Sequence, residues 1–199
     1  MQDLRKLEDG FEIDGKRYNF KDIQSLKYLR SNIQHVGVVN ANMGNNELSI
    51  FVKGSYKPIK IASLGKVYVA YLSEKSSREK SAILDDFYQH LYTNTALAIY
   101  EEYEVKLNSG RGLPYDCITL YPNGDVQYDG GSFNLLTNAP KCFLSYPNIE
   151  FKVGFGSSVG KSFVRALKGD LSINLQVDIT TDTNIILAIL KNHFGYDFN

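Results

Sequence analysis

The sequence predicts an α+β protein of two tandem units, each a strongly bent antiparallel β-sheet or barrel closed by a C-terminal α-helix. Two stretches read almost alike: residues 36–54 are VGVVNANMGNNELSIFVKG and residues 153–169 are VGFGSSVGKSFVRALKG. Strand-like alternation surrounds each stretch, and a helical pattern follows each. We therefore expect a first unit over residues 1–109 and a second, shorter unit over residues 110–199, divided by the glycine- and proline-containing segment at residues 108–114.

Strands are predicted from side-chain alternation and from turn residues. Alternation is clearest at residues 171–179, where aliphatic and polar side chains follow one another, and it recurs at residues 47–53, 58–62 and 67–71. Residues that tolerate positive φ separate these runs and predict tight turns. The predicted turns are Asp14-Gly15, Gly44-Asn45-Asn46, Gly54-Ser55 and Asn123-Gly124.

Each predicted unit ends in a helix. Residues 78–107 contain neither proline nor glycine, and apolar side chains recur there every fourth residue, which predicts an amphipathic helix. The predicted apolar stripe is Ile83, Phe87, Leu91, Thr95, Ile99 and Tyr103, with Leu84, Tyr88 and Tyr92 beside them. Side-chain oxygens at residues 181–183 precede a second apolar run, and we expect them to cap a shorter helix.

Composition argues against several classes of function. Lysine and arginine total 22 and match the 22 aspartates and glutamates, so no global positive field attracts nucleic acid, and no nucleic-acid partner is expected. No stretch approaches the roughly 18 uninterrupted apolar residues of a membrane span. The charged N-terminal residues do not resemble a signal peptide, so the expected location is cytoplasmic.

The sequence contains no legible catalytic or metal-binding set. Cys117 and Cys142 lie outside any CxxC pattern, and we expect two unpaired thiols. Asp86 and His90 share one helical face, but two ligands are too few for a metal site. The three histidines are scattered, so we predict no catalytic residue, no metal and no cofactor, and no enzyme activity.

One string resembles a phosphate-binding loop. Such a loop requires a glycine, four residues, and then Gly-Lys-Ser or Gly-Lys-Thr. Gly160, Lys161 and Ser162 are present, but the first glycine would have to stand at position 155, which is Phe155. A nucleotide-binding enzyme is therefore an alternative function, and a hairpin turn copied from residues 36–54 is the preferred interpretation.

The segment DGKRYNFKDIQSLKY at residues 14–28, followed by hairpins and a long helix, resembles the pleckstrin-homology-like (PH-like) fold of bacterial proteins. The resemblance implies that each unit is a seven-stranded, nearly orthogonal pair of sheets closed by its C-terminal helix. It is carried best by residues 11–107 and extends to residues 117–198 through the internal repeat. The tryptophan usual in the terminal helix of eukaryotic members is absent, because the chain contains none.

PH-like modules that bind phosphoinositides use basic residues around their first hairpin. The resemblance therefore implies an alternative function in peripheral binding of anionic membranes, with Lys16, Arg17 and Lys21 as the contacts. Asp14 and Asp22 dilute this charge. A solvated turn is the preferred interpretation.

Aromatic residues supply the remaining signal. The chain has 14 tyrosines, and four of them lie on the first helix: Tyr88, Tyr92, Tyr100 and Tyr103. Tyrosine is frequent at protein interfaces, and a groove beside this helix or an exposed strand edge would accept a peptide by strand addition. We therefore expect a non-enzymatic cytoplasmic adaptor or scaffold that binds protein partners, among which a second copy of the chain is included.

Overall fold

The computed structural model describes residues 2–35, 41–63, 74–138, 140–154, 172–196 and 198. Over these residues the chain is α+β, as predicted, with four small antiparallel sheets and two α-helices, and its described strands form no closed barrel. It divides into two compact units, Met1–Ile99 and Tyr100–Asn199. The division at residues 109 and 110, which rests on linker composition, stays a prediction.

The first sheet of the first unit is a meander of three short strands, β1 (Leu4–Lys6), β2 (Gly10–Ile13) and β3 (Lys16–Asn19). Asp14 and Gly15 connect β2 to β3 with φ values of 50° and 80°, which confirms the predicted tight turn. A 3₁₀ turn over Phe20–Asp22 then leads into the second sheet.

The second sheet contains β4 (Ile23–His35), β5 (Ala41–Val52) and β6 (Ile59–Ala62) in that order. The predicted turn at Gly44-Asn45-Asn46 is wrong, because these residues lie inside β5. Gly44 pairs with Asn32, and pairing continues to Ala41 opposite His35. The cross-strand ladder therefore overrides the turn preference of three consecutive residues.

Helix α1 (Glu74–Asn108) follows and includes the whole predicted helical segment. Its buried stripe includes Leu84, as predicted, but not Ile83, which is 49% exposed. Phe87 meets Phe11 of β2 edge to face, with ring centroids 5.9 Å apart. The helix thereby contributes to the core of the first unit, where each buried large apolar side chain contributes about 1.5–3 kcal/mol.

The second unit begins with a four-stranded meander: β7 (Leu113–Tyr115), β8 (Ile118–Leu120), β9 (Asp125–Tyr128) and β10 (Gly131–Asn134). The predicted Asn123-Gly124 turn joins β8 to β9, and Gly124 has φ 87°. Alternate residues of this meander are buried and form the inner face of the sheet. They include Leu113, Leu120, Val126 and Phe133, each at most 4% exposed.

A three-stranded sheet and a helix complete the second unit. The strands are β11 (Lys141–Ser145), β12 (Asn148–Gly154) and β13 (Ser172–Asp178), with β12 in the centre, and the helix is α2 (Thr183–Phe194). Strand β13 confirms the prediction for residues 171–179, apart from its ends. Phe133 and Phe151 bring the two sheets together at a centroid distance of 5.8 Å.

The start of α2 departs from the predicted side-chain cap. Asp182 occupies the N-cap position, but its side chain makes no capping hydrogen bond. Instead its carboxylate accepts a hydrogen bond from the Tyr103 hydroxyl at 2.7 Å. A long-range partner therefore takes the oxygen that the local pattern assigned to the helix.

The structure describes the first similar stretch from residue 41 onward but only residues 153 and 154 of the second, so the duplication stays a prediction. The first contains β5 and the turn after it, and it begins between the first and second strands of its sheet. The second begins at the end of β12, before the third strand of its sheet. Residues 155–171 and the strand predicted at residues 67–71 lie outside the described residues.

Candidate functional site

The basic residues of the first hairpin are exposed, but their charges have neighbours. The Arg17 guanidinium donates to both carboxylate oxygens of Asp9, at 2.7 and 2.9 Å. This hydrogen bond lowers the pKa of Asp9 below its ordinary value. The Lys16 ammonium lies 5.1 Å from the centroid of the Tyr18 ring. Lys21 is exposed on the 3₁₀ turn, so the positive charge that this hairpin offers to an anionic ligand is reduced mainly at Arg17.

Two of the four candidate tyrosines lie together in the first unit. The ring of Tyr88 stacks on that of Tyr28 at 4.3 Å and lies 5.9 Å from that of Tyr92. The Tyr28 hydroxyl donates a hydrogen bond to the Asp85 carboxylate, and Asp85 Oδ1 also forms an ion pair with Arg30 Nη2 at 3.2 Å. Burial is the largest cause that raises the pKa of Tyr28, and the hydrogen bond to Asp85 raises it further. This aromatic stack is a half-buried contact between α1 and β4.

The other two tyrosines belong to the second unit. Tyr103 is buried, and burial followed by the charge of Asp182 raises its pKa. Tyr100 is half-buried, and its hydroxyl accepts a hydrogen bond from the Asn192 amide at 3.0 Å. The buried Tyr103 hydroxyl therefore serves an internal contact.

The remaining predicted residues supply no catalytic set in the described chain. Gly160, Lys161 and Ser162 lie outside the described residues. Asp86 pairs with Lys6, and His90 Nε2 lies 3.3 Å from the Gly10 carbonyl oxygen. Within the described residues, no group of three or more histidine, cysteine, aspartate or glutamate side chains is placed to hold a metal ion.

A shallow cleft of about 540 Å³ lies beside the turn between β7 and β8. Cys117 lines it. Burial raises the pKa of this thiol, and the neighbouring Asp116 carboxylate raises it further. The Cys117 thiol donates to the Gln176 carbonyl at 3.5 Å. A raised pKa disfavours the thiolate, and the described lining contains no histidine to act as a base. The lining is Pro114, Asp116, Cys117, Ile118, Thr119, Gln127, Tyr128, Asp129 and Leu175.

The hairpin formed by β11 and β12 has a different character. We call it the β11 hairpin, and it turns through Tyr146 and Pro147. Three large apolar or aromatic side chains are exposed on it: Phe143 by 46%, Leu144 by 44% and Tyr146 by 51%. Buried neighbours lie directly opposite on β12, where Ile149 and Phe151 are each 1% exposed. The hairpin thus joins a strand with two buried apolar side chains to one that presents apolar side chains to solvent.

The position of β11 in its sheet adds a second property. Among the strands that the structure describes, β11 is a terminal strand, since β12 pairs with it on one side only. A terminal strand directs the N–H and C=O groups of alternate residues away from its sheet. Exposed apolar side chains and a strand edge in the same five residues are a template for another extended chain.

Basic side chains flank this edge. Lys141 and Lys152 lie directly opposite each other in the β11–β12 register. Lys152 pairs with Glu150 at 3.4 Å and lies 5.0 Å from the Phe143 ring centroid. Glu150 thus compensates one of the two lysines, and the site keeps a local positive charge on the face that carries Phe143.

Sequence reasoning did not single out the β11 hairpin. The available signal was Pro147-Asn148, two turn-forming residues between Phe143-Leu144 on one side and Ile149 on the other. Exposure of the apolar residues could not be read in the same way, because a strand's position within its sheet depends on long-range pairing.

Comparisons with known proteins bring no relative to this chain: no family model, no curated protein and no solved structure matches it. Within the described residues, no helix combines the length and the apolar composition needed to span a membrane.

Proposed function

We propose that this chain is a cytoplasmic, non-enzymatic adaptor of two PH-like units that binds a protein partner through the β11 hairpin. The observation that carries the proposal is the exposure of Phe143, Leu144 and Tyr146 on the β11 hairpin, whose first strand is terminal among the described strands of its sheet. An apolar edge of this kind favours pairing with another chain.

Element order supports the PH-like part of the proposal. In the second unit a four-stranded meander and a three-stranded sheet precede a C-terminal helix, which is the order that the resemblance implies. In the first unit two three-stranded sheets precede α1, with residues 64–73 outside the description. Packing of α1 on β2, through Phe87 and Phe11, agrees with a helix that covers one side of a bent sheet.

Burial energetics support the protein-binding part. Each of the three exposed side chains is roughly half accessible, so complete burial by a partner contributes about 1 kcal/mol per side chain. Main-chain hydrogen bonds along β11 would add both affinity and orientation. Such a surface fits recognition of a protein segment better than chemistry on a small substrate, because the described lining of the cleft beside Cys117 contains no histidine to act as a base.

The proposal is tested by co-purification from the native host. A tagged full-length chain is compared with the double variant Phe143→Ser/Leu144→Ser, and co-eluting proteins are quantified by mass spectrometry. The matched control is Leu97→Ser, which removes a side chain 72% exposed on α1. Circular dichroism first establishes that all three proteins are folded.

We expect a stoichiometric partner that is retained by the wild-type chain and by Leu97→Ser and is lost with the hairpin variant. A chain that purifies alone under gentle conditions contradicts the adaptor function. A partner that the hairpin variant retains in full contradicts the assigned surface.

A further inference from the structure

We infer that the partner of the β11 hairpin supplies an extended segment that adds to β11 as a new strand and places a carboxylate opposite Lys141. This inference rests on the proposed function and names the chemistry of its ligand. In the same segment an apolar side chain two residues from the acid lies opposite Phe143, because side chains on one face of a strand recur every second residue.

The backbone of β11 calls for an extended ligand. The strand pairs with β12 over its full length, from Lys141 opposite Lys152 to Ser145 opposite Asn148. Its other edge meets no strand in the described part of the chain. An added strand lies about 4.8 Å away and satisfies the outward N–H and C=O groups, whereas a helix cannot pair with them because its own groups are already bonded.

The two faces of β11 set what the added strand carries. Lys141, Phe143 and Ser145 share one face, since alternate side chains of a strand point the same way. Cys142 and Leu144 share the other face, opposite the buried Phe151 and Ile149. A ligand strand therefore meets a basic and aromatic face on one side, and on the other an aliphatic side chain that borders the core.

Charge selects an acid for the position beside Lys141. Lys141 and Lys152 are direct cross-strand neighbours, and like charges so placed destabilise a sheet. Glu150 pairs with Lys152, while Lys141 forms no ion pair with any residue that the structure describes. A carboxylate on the added strand compensates Lys141 and removes part of that repulsion, so it favours binding and fixes the register.

A second copy of β11 does not meet this requirement. Its five residues are Lys-Cys-Phe-Leu-Ser and contain no carboxylate. Antiparallel self-pairing centred on Phe143 would place Lys141 opposite Ser145. The occupant is therefore a different, acidic and apolar segment of a protein partner.

Two synthetic peptides test the inference by fluorescence anisotropy with the full-length chain. Each alternates threonine and valine and carries a phenylalanine. The first has a glutamate two positions after that phenylalanine, which lies opposite Lys141 when the peptide adds antiparallel with its phenylalanine opposite Phe143, and the second has a lysine there. The protein variants are Lys141→Glu and, as a matched control, Lys60→Glu, an exposed lysine on β6, which is terminal among the described strands of its own sheet.

We expect the wild-type chain to bind the glutamate peptide roughly fivefold more tightly than the lysine peptide, the change that one cross-strand charge pair produces. Lys141→Glu should reverse that preference, and Lys60→Glu should leave it unchanged. Equal affinities for the two peptides, absence of binding, or a preference unaffected by Lys141→Glu overturns the inference. So does sedimentation showing that a second copy of the chain occupies the edge.

The outcome is separable from that of the proposed function. If a partner co-purifies through Phe143 and Leu144 but the glutamate peptide shows no preference, the acidic-strand chemistry is wrong and the adaptor function stands. If the glutamate peptide binds at Lys141 but the chain has no partner in its host, the adaptor function is wrong and the strand site stands.

Discussion

Asp182 shows how a single residue departs from its local pattern. It is 2% exposed, has φ 47° in the left-handed region, and stands at the start of α2. Aspartate is among the few residues besides glycine that adopt this conformation with modest strain. In this conformation the Asp182 carboxylate accepts a hydrogen bond from the Tyr103 hydroxyl. That hydrogen bond links the end of α1 to the start of α2 within the second unit.

This contact gives a stability prediction for Tyr103. We expect Tyr103→Phe to lower the free energy of unfolding by about 1–2 kcal/mol in urea, because a buried carboxylate loses a hydrogen-bond donor. The matched control is Tyr100→Phe, which removes a hydroxyl from a half-buried residue bonded to exposed Asn192 and should change stability much less. Equal effects of the two substitutions would argue against a special role for the Asp182 contact.

The two thiols should react at different rates. Burial raises the pKa of Cys142 to about 12, and this residue is half-buried, whereas Cys117 is exposed. The Cys142 thiolate fraction at pH 8 is then about 1 in 10,000. We expect a disulfide reagent at pH 8 to modify the Cys142→Ser protein, which keeps Cys117, roughly tenfold or more faster than the Cys117→Ser protein.

The sign of the Cys142 shift also makes a pH prediction. Because the folded pKa is raised, the protonated thiol contributes its stability fully below pH 9.0, and this contribution is lost as pH rises through about 12. Cys142→Ser should therefore reduce the alkaline loss of stability. Equal thiol reaction rates, or an unchanged alkaline unfolding profile, would contradict the burial of Cys142.

The Arg17–Asp9 pair makes the opposite prediction about acid. The guanidinium lowers the folded pKa of Asp9 below 3.8, so the pair stabilises the fold above that pH and loses its effect as pH falls through the folded value. Arg17→Ala should return the Asp9 pKa toward 3.8 in a carboxyl NMR titration, while Lys16→Ala should leave it low. If the Asp9 pKa did not change in Arg17→Ala, Arg17 would not be paired with Asp9 and would be available to bind anionic lipid. Vesicle binding by the wild-type chain that is lost in Lys16→Glu/Arg17→Glu would then favour the membrane alternative.

At the scale of elements, the pairing of β2 with β3 depends on a glycine. A Cβ added at Gly10 would lie 1.9 Å from the Tyr18 carbonyl oxygen, a backbone atom that cannot move without breaking the ladder. We expect Gly10→Ala to destabilise the first unit by roughly 3 kcal/mol or more, at the severe end of single substitutions.

The control for Gly10 lies in the same hairpin. A Cβ at Gly15 meets open space, although φ there is 80°. Gly15→Ala should therefore cost only about 1 kcal/mol, from left-handed strain alone. Thermal unfolding of the two variants distinguishes steric from conformational cost, and a Gly10→Ala protein as stable as Gly15→Ala would contradict the close approach of β2 to β3.

For the whole molecule, local sequence patterns predicted where helices and strands lie better than they predicted which elements pack against each other. Alternation of apolar and polar side chains predicted β13. The pair Asp14-Gly15 predicted the turn between β2 and β3. Both patterns depend on residues that are adjacent in the chain. Gly44-Asn45-Asn46 predicted a turn but lies within a long strand, since pairing with β4 outweighs local preference. The span of α1 and most of its buried face were predicted. Ile83 was placed on that face but is exposed, while the equally apolar Leu84 beside it is buried.

The candidate site was the least predictable part. Tyr103 stood out as an interface tyrosine by composition, yet its hydroxyl bonds to Asp182, 79 residues away. Phe143 and Leu144 would count as core residues by their chemistry, yet they are 46% and 44% exposed on β11, which is terminal among the described strands of its sheet. Residue type alone therefore cannot distinguish a buried apolar strand from an apolar edge that binds a partner.

The most direct test of the central claim is hydrogen–deuterium exchange of the full chain with and without the protein recovered by co-purification. We predict slower exchange on binding at the amides of residues 141–145, because an added strand bonds their outward groups. Strand β1, which is terminal among the described strands of its own sheet, serves as the internal control and should exchange at the same rate in both samples. Unchanged exchange at residues 141–145, with protection centred instead on Tyr88 and Tyr92 or on the first hairpin, would contradict the account.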